Sequence, residues 1–213
     1  MRYPVEALSL MMPASVPVQR DSVALRADSH NEEPSDRVLM AHIAARDANW
    51  AGALEQLFIR HSPALLAFCT RFLRDQIEAE DLVHDVFVQT LERGKSFRND
   101  GPLRAWLFSL AVNLARTRHR RSKLDQQFRS ELAEKKQNAS DPARALERQE
   151  LRDEIDKAVE TLSESERETF LLYWFGALSY GEISAITGIS VPAAKVRVHR
   201  ALAHLGKALQ KLK

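Results

Sequence analysis

The side chains with the clearest chemistry are basic and lie near the carboxyl end, where residues 195–200 read KVRVHR. Strict alternation is typical of a half-buried strand, but over residues 189–209 apolar residues recur at steps of three and four, the helical period. The apolar stripe of that predicted helix consists of Val191, Ala194, Val198, Leu202, Leu205 and Leu209. The other side, here called the groove face, consists of Lys195, Val196, Arg197, His199 and Arg200. Cations can bind phosphates and guanine edges, and a methyl-bearing side chain can contact thymine, so this face is predicted to enter a DNA major groove.

A second set of polar side chains lies on a helix predicted over residues 102–121. One side of this helix, here called the polar stripe, carries Ser109, Asn113, Arg116 and Arg120. The preceding loop, KSFRNDGP, offers Lys95, Arg98 and Asn99 beside Phe97. The stripe has the geometry expected of a nucleic-acid contact, and the loop could hold an unstacked base. On the same helix, Trp106 is predicted to be structural, and Phe108 either stacks on a base or, as we favour, packs on another helix.

An acidic set occurs in residues 78–93, EAEDLVHDVFVQTLER. Helical periodicity places Asp81, Asp85 and Glu92 together with Val88, opposite the apolar side, and we call Asp81, Asp85 and Val88 the acidic face. Such a stripe is usually only solvated, but an exposed valine within it favours a docking surface for a basic protein partner.

The elements that position these residues are all predicted to be helices. From Asp36 onward the pattern is helical and no strand or hairpin signal occurs, so the fold class is all-α with two helical domains. The predicted division is a mobile extension over 1–35, a first domain over 36–121, a polar linker over 122–141 and a second domain over 142–213. In the first domain the predicted helices lie near 36–46, 49–72, 78–93 and 102–121, and Asp141 with Pro142 is predicted to start the second domain's first helix.

The second domain contains the layout of a helix-turn-helix over residues 179–202. Ser179 and Glu182 form a predicted capping box for a short helix, Gly188 lies in the turn, and Ser190 caps the helix that carries the groove face. An αα-hairpin with a solvated basic face is the alternative, and the exposed Val196 favours the DNA-binding interpretation.

Composition narrows the classes of function. The chain has 213 residues, is 45% hydrophobic and 28% charged, and carries a formal charge of +2, values of an ordinary globular protein. Its single cysteine, Cys69, excludes an internal disulfide and indicates a reducing cytoplasm. No zinc-like Cys/His spacing, nucleophile–base set or Gly-rich phosphate loop occurs, so no catalytic residue, metal or cofactor is predicted. No segment reaches membrane length, so no membrane insertion is predicted.

Several motifs, in this order and spacing, resemble those of one protein family. They are AEDLVHDVF, SF, RAWLFSLAVNLA and RHRR in the first domain, and ALSYGEISAITGIS and AKVRVHRAL in the second. The chain resembles the extracytoplasmic-function (ECF) group of sigma-70 factors, the promoter-recognition subunits of bacterial RNA polymerase. The resemblance implies region 2-like and region 4-like domains, and core RNA polymerase and promoter DNA as partners. It leaves an anti-sigma factor open as a further partner.

The resemblance also implies roles for the three surfaces. Asp81 and Asp85 would bind the clamp helices of the polymerase's largest subunit. The polar stripe from Asn113 onward, with the loop 95–101, would read the opened −10 element, and the groove face would read the −35 element. Family members often have Gln at His84 and Ser at Val196, and Val196 cannot make the hydrogen bonds of a serine.

Two other classes of protein are weighed against this one. An autonomous helix-turn-helix regulator would need a symmetric dimer and a palindromic site, and no dimerisation coiled coil is predicted here. A protein-only adaptor would not need the basic faces.

Overall fold

The computed structural model describes residues 33–97, 101–128 and 156–210, and no strand occurs in these ranges. The elements are α1 (Asp36–Ala45), α2 (Trp50–Leu73), α3 (Gln76–Arg93), the 3-10 turn η1 (Gly94–Ser96), α4 (Leu103–Phe128), α5 (Glu164–Trp174), α6 (Tyr180–Thr187) and α7 (Val191–Gln210). Residues 156–160 are also helical. The all-α prediction is confirmed.

Helices α1 to α4 pack around an aromatic core. The Phe68 ring meets Phe108 edge-to-face at 5.5 Å between centroids and lies 5.6 Å from Phe72. All three side chains are fully buried. Phe108 therefore packs between helices, as the favoured prediction had it, and is not available to stack on a base.

Apart from the end of α4, the bounds of the first four helices lie within two residues of the predicted ones. Helix α3 begins earlier than predicted because Asp75 caps it, its carboxylate accepting a hydrogen bond from the Glu78 amide at 2.9 Å. Helix α4 continues to Phe128, past the predicted linker boundary at Arg121. The predicted helix start at Asp141 and Pro142 lies outside the described residues, and the division into four segments stays a prediction.

The second domain is built on α5, α6 and α7. Ser163 caps α5 by accepting a hydrogen bond from the Glu166 amide at 3.4 Å. On α7 the buried stripe consists of Ala194, Val198, Ala201 and Leu205. Val191 was predicted to belong to this stripe, and this is wrong: its side chain is 45% exposed. As the first residue of the helix it lies at the end of the stripe, where burial stops.

The two domains contact each other directly. Helix α2 packs on α5, and α4 packs on α6. Phe175, just after α5, is fully buried in the common core. In the described ranges no helix has the length and apolar content needed to cross a bilayer.

Candidate nucleic-acid interface and docking face

Local hydrogen bonds fix the helix-turn-helix. The Ser179 amide donates to the Glu182 carboxylate at 2.7 Å, and the Glu182 amide donates to Ser179 Oγ at 3.3 Å, which completes the predicted capping box. Gly188 ends α6 with φ 76°, a left-handed conformation that glycine adopts without strain. Ser190 then caps α7, its Oγ accepting from the Ala193 amide at 3.3 Å. These bonds set the direction in which α7 leaves the turn.

The groove face lies on the solvent side of α7. Lys195, Val196, His199 and Arg200 are exposed, and Arg197 is half-buried. Val196 is 47% exposed between basic neighbours. The structure thus places all five predicted residues on one accessible face, in the first half of the helix that follows the turn.

The polar stripe on α4 is only partly accessible. Asn113 and Arg120 are exposed, whereas Ser109 is half-buried and donates its hydroxyl to the Trp106 carbonyl at 2.6 Å. Arg116 is engaged by the second domain: its Nε and Nη2 donate to the two oxygens of Glu168, each at 2.8 Å. This hydrogen bond raises the pKa of the Arg116 guanidinium. In this arrangement Glu168 holds the Arg116 guanidinium, although the Arg116 side chain is still 37% exposed.

The described residues on either side of the loop, Ser96, Phe97, Gly101 and Pro102, line a cleft between the domains. Lys95 is exposed on η1, and the Phe97 ring lies 5.5 Å from Trp106. Arg98 and Asn99, the other predicted residues of this loop, lie outside the described residues. The cleft has a volume of about 400 Å³ and is lined by Phe97, Trp106 and Ser109 from one domain and by Glu182, Ala185 and Ile186 from the other.

The acidic face lies on the outer side of α3. Asp81 is exposed, and Val88 is 39% exposed. Asp85 is half-exposed and accepts a hydrogen bond from Arg118 of α4, whose other Nη donates to the Glu78 carbonyl at 2.7 Å. The three predicted residues are thus together, and Arg118 orients one of them.

Arginines of the first domain contact the chain segments that precede and follow α5. Arg104 donates to the carbonyls of Gly176 and, at 2.7 Å, of Phe175. Burial disfavours the charged form of the guanidinium and lowers its pKa. The hydrogen bonds to two carbonyls offset part of the free energy lost when the charge leaves water. Arg71 lies over the Phe175 ring at 4.7 Å and donates to Asp156 at 2.8 Å.

Arg74 adds a further bond across the same interface, donating to the Glu160 carbonyl at 2.9 Å. The sequence analysis identified none of these interdomain contacts. They join residues 71 to 104 positions apart, and helical periodicity gives the face of a helix but not its neighbour.

Comparisons with known proteins match both domains. Residues 57–124 match the model of Sigma-70 region 2, and residues 152–205 match that of Sigma-70, region 4. The RNA polymerase sigma factor CarQ of Myxococcus xanthus is 32% identical over 162 residues, which is 75% of this chain and 91% of that protein. The chain belongs to the sigma-70 family.

This sigma factor is also 32% identical, over 149 residues, to the ECF RNA polymerase sigma factor EcfG of Rhodopseudomonas palustris. That match covers 69% of this chain and 80% of the relative. The co-crystal structure of the sigma factor RpoE with the anti-sigma factor NepR from Bartonella quintana superposes with a TM-score of 0.62 at 28% identity, covering 73% of this chain and 96% of that one. The predicted ECF sigma factor is confirmed, with region 2 and region 4 in the predicted order.

Family membership gives the function. As a sigma factor, the protein binds core RNA polymerase and directs it to specific promoters for transcription initiation. The autonomous regulator weighed above is not favoured, because both sigma regions are present in one chain.

Proposed function

We propose that three separate surfaces of this sigma factor divide the work of initiation, and that the chain has no catalysis of its own. The acidic face binds core RNA polymerase, the polar stripe with its loop holds the opened −10 element, and the groove face reads the −35 element. The observation that carries this division is that the acidic face lies on α3 and the two basic faces on α4 and α7, each with exposed members. Because its partner enzyme transcribes the chromosome, we infer that it acts in the cytoplasm.

The groove face supports a contact with duplex DNA. A helix-turn-helix presents its second helix to the major groove, and base contacts come from the first turns of that helix. Val196 and Arg200 lie four residues apart on α7, so they point to nearby bases, one with methyl groups and one with a guanidinium. Lys195, at the edge of the face, is suited to a phosphate.

The proposed −10 surface consists of the polar stripe and its loop. Some of its side chains are exposed, and Arg116 is bound to Glu168. Asn113 and Arg120 are accessible on α4, and Lys95 lies on the turn before it. Arg98 and Asn99 complete the proposed loop contact. Amide and guanidinium groups bind base edges and phosphates of unpaired strands, which is the role proposed here.

Replacing Asn113 tests this surface. We expect Asn113→Ala to slow promoter opening by roughly tenfold, the effect of losing one or two hydrogen bonds, while initial binding of the duplex by the holoenzyme stays near wild type. Permanganate footprinting of unpaired thymines measures opening, and a gel shift at low temperature measures the first step.

The matched control is Gln76→Ala, which removes an exposed amide from α3, outside the polar stripe and its loop. Wild-type footprints for Asn113→Ala would remove this residue from the −10 surface. An equal loss in both assays would instead indicate general damage to DNA binding.

We also infer that this sigma factor has an anti-sigma partner, since its structural relative RpoE was solved with the anti-sigma factor NepR. Such a partner would compete with core RNA polymerase for the chain. Displacement of the purified candidate by added core enzyme, in a co-purification assay, is the test. A ternary complex of all three would contradict the inference.

A further inference from the structure

We propose that an apolar segment near the amino terminus, residues 5–12 (VEALSLMM), docks on a stripe of apolar side chains on the solvent side of α2 and competes there with core RNA polymerase. This stripe, here called the outer stripe, consists of Phe58, Ile59, Pro63 and Leu66. The competition rests on the proposed function in one respect, namely that the acidic face binds the polymerase. The docking of the segment does not depend on it.

The outer stripe gives α2 a second apolar side, in addition to the one that packs in the aromatic core. Ile59, Pro63 and Leu66 follow one another at steps of four and three, which is the helical period. Ile59 is 66% exposed, and Phe58, at the edge of the stripe, is 42% exposed. Pro63 is also exposed, and Leu66 is half-buried. A helix that is apolar on both sides is typical of one that is covered on both.

The end of the amino-terminal extension is held beside this stripe. Arg60, the residue after Ile59, donates Nη2 to the Pro34 carbonyl and to the Glu33 carboxylate, each at 3.2 Å. Its Nη1 donates to the Asp36 carboxylate at the start of α1. These bonds bring the chain that precedes α1 to the helix that carries the outer stripe.

The length of the extension allows the apolar segment to reach the stripe. Residues 13–32 connect the segment to the held end, and a flexible chain of about 20 residues spans roughly 25 Å. The stripe extends only about 10 Å along α2. A tethered segment has an effective concentration on the order of 1 mM at such a surface. A contact too weak to hold two separate molecules is therefore sufficient within one chain.

The composition of the segment and the size of the stripe favour this occupant. Six of the eight residues are apolar, and they are Val5, Ala7, Leu8, Leu10, Met11 and Met12. Methionine side chains adapt to irregular apolar surfaces. Stable interfaces between separate proteins use about 20–30 residues a side, far more than the four of the outer stripe. A short tethered segment thus fits the stripe better than a second copy of the chain.

The position of Phe58 connects the outer stripe with the acidic face. The Phe58 ring lies 4.9 Å from the ring of Phe87 on α3, and Phe87 directly precedes Val88 of the acidic face. A segment that covers Phe58 therefore lies beside the acidic face. Core RNA polymerase that docks on α3 has to displace it.

Labelling of a cysteine within the stripe measures the docking directly. Ser62→Cys places a thiol one helical turn from both Phe58 and Leu66. The native Cys69 is buried, and burial raises its pKa to about 12, so it does not react. We expect N-ethylmaleimide to modify the introduced thiol roughly tenfold more slowly in the full chain than in a chain that lacks residues 2–31. That ratio corresponds to a segment docked in about nine of ten molecules.

Two sets of substitutions assign the protection to the two surfaces. Ile59→Asp removes apolar area from the stripe, and Leu8→Asp combined with Met11→Asp removes it from the segment. Each should raise the labelling rate of the full chain to that of the truncated chain. Ile77→Asp is the matched control, because Ile77 is 69% exposed on α3, outside the outer stripe. It should leave the rate unchanged.

Titration of the chain with purified core enzyme measures the competition. The Leu8→Asp, Met11→Asp variant is used because it leaves α2 and α3 unaltered. We expect it to bind core enzyme roughly tenfold more tightly than wild type, the same factor as in the labelling, since the polymerase binds only the undocked fraction. The control, Ser15→Asp with Ser22→Asp, adds the same charge between the segment and α1 and should bind as wild type.

The two measurements separate the failure of this proposal from that of the proposed function. Equal labelling rates in the full and truncated chains would overturn the proposal. Protection that increases with protein concentration would also overturn it, because a second copy would then cover the stripe. Slow labelling with an unchanged affinity for core enzyme would overturn the competition. If the Asp81→Lys, Asp85→Lys variant then still bound core enzyme, the error would lie in the role of the acidic face and not in the docking of the segment.

Discussion

Asp81→Lys combined with Asp85→Lys is expected to weaken the binding of this sigma factor to core RNA polymerase by roughly 100-fold or more, because like charges facing each other across an interface cost several kcal/mol. Asp81 is exposed on α3 and Asp85 is half-exposed, so the fold should survive the exchange. Neither carboxylate lies in the aromatic core, which is on the opposite side of the helix. Titration of labelled sigma factor with purified core enzyme measures the affinity.

Two controls separate docking from other effects of the charge reversal. Glu80→Lys makes the same change of charge on α3, but the exposed Glu80 side chain lies beside the acidic face and not within it. It should bind core enzyme nearly as wild type. Arg118→Ala tests whether the lower affinity for core enzyme comes from breaking the Asp85–Arg118 pair. This variant should bind core enzyme almost as tightly as wild type. Unchanged binding of the double variant would show the acidic face to be merely solvated.

Arg200→Ala is expected to lower the discrimination between bases at a single position of the upstream element by roughly 1–3 kcal/mol of binding free energy, because one bidentate guanine contact is lost. Arg200 is exposed and central on the groove face of α7, the helix that Ser190 caps. Competition binding by the holoenzyme over single-base variants of the −35 element, at two salt concentrations, measures it. If Arg200 held only a phosphate, affinity would fall evenly across sequences and the salt slope would decrease by about 0.9.

Val196→Ser gives the complementary result in the same assay. The valine has no charge, so the salt slope should stay unchanged while the preference for a thymine methyl at the facing position weakens. Lys207→Ala, farther along α7, is the control and should leave base preference unaltered. If neither Arg200→Ala nor Val196→Ser alters base preference or salt dependence, the groove face does not enter the groove.

Features that depend on a short stretch of sequence were predictable. The capping box at Ser179, the turn at Gly188 and the cap at Ser190 each involve residues a few positions apart. The groove face could be predicted for the same reason. With Ala194 and Val198 buried, the helical period alone directs most side chains from Lys195 to Arg200 away from the core. Local propensity and tertiary structure favour the same conformation in this region, and an element of this kind can be predicted from sequence.

Contacts between distant helices were not predictable from one sequence. Arg116 was predicted to lie on a polar stripe, but its partner Glu168 lies 52 positions away and belongs to the other domain. Arg118, which orients Asp85, is 33 positions from it. A helical wheel does not show which neighbour covers a face, so only the structure reveals that Glu168 of the second domain binds Arg116 of the polar stripe.

Transcription reconstituted from purified core RNA polymerase and this sigma factor tests the central claim most directly. The templates are DNA fragments enriched by binding to the holoenzyme, and the transcripts are mapped at their 5′ ends. We expect transcripts that start at one position downstream of a shared sequence, present with the wild-type chain and absent with core enzyme alone or with the Asp81→Lys, Asp85→Lys variant. Equal transcription by core enzyme with and without the chain would contradict the account.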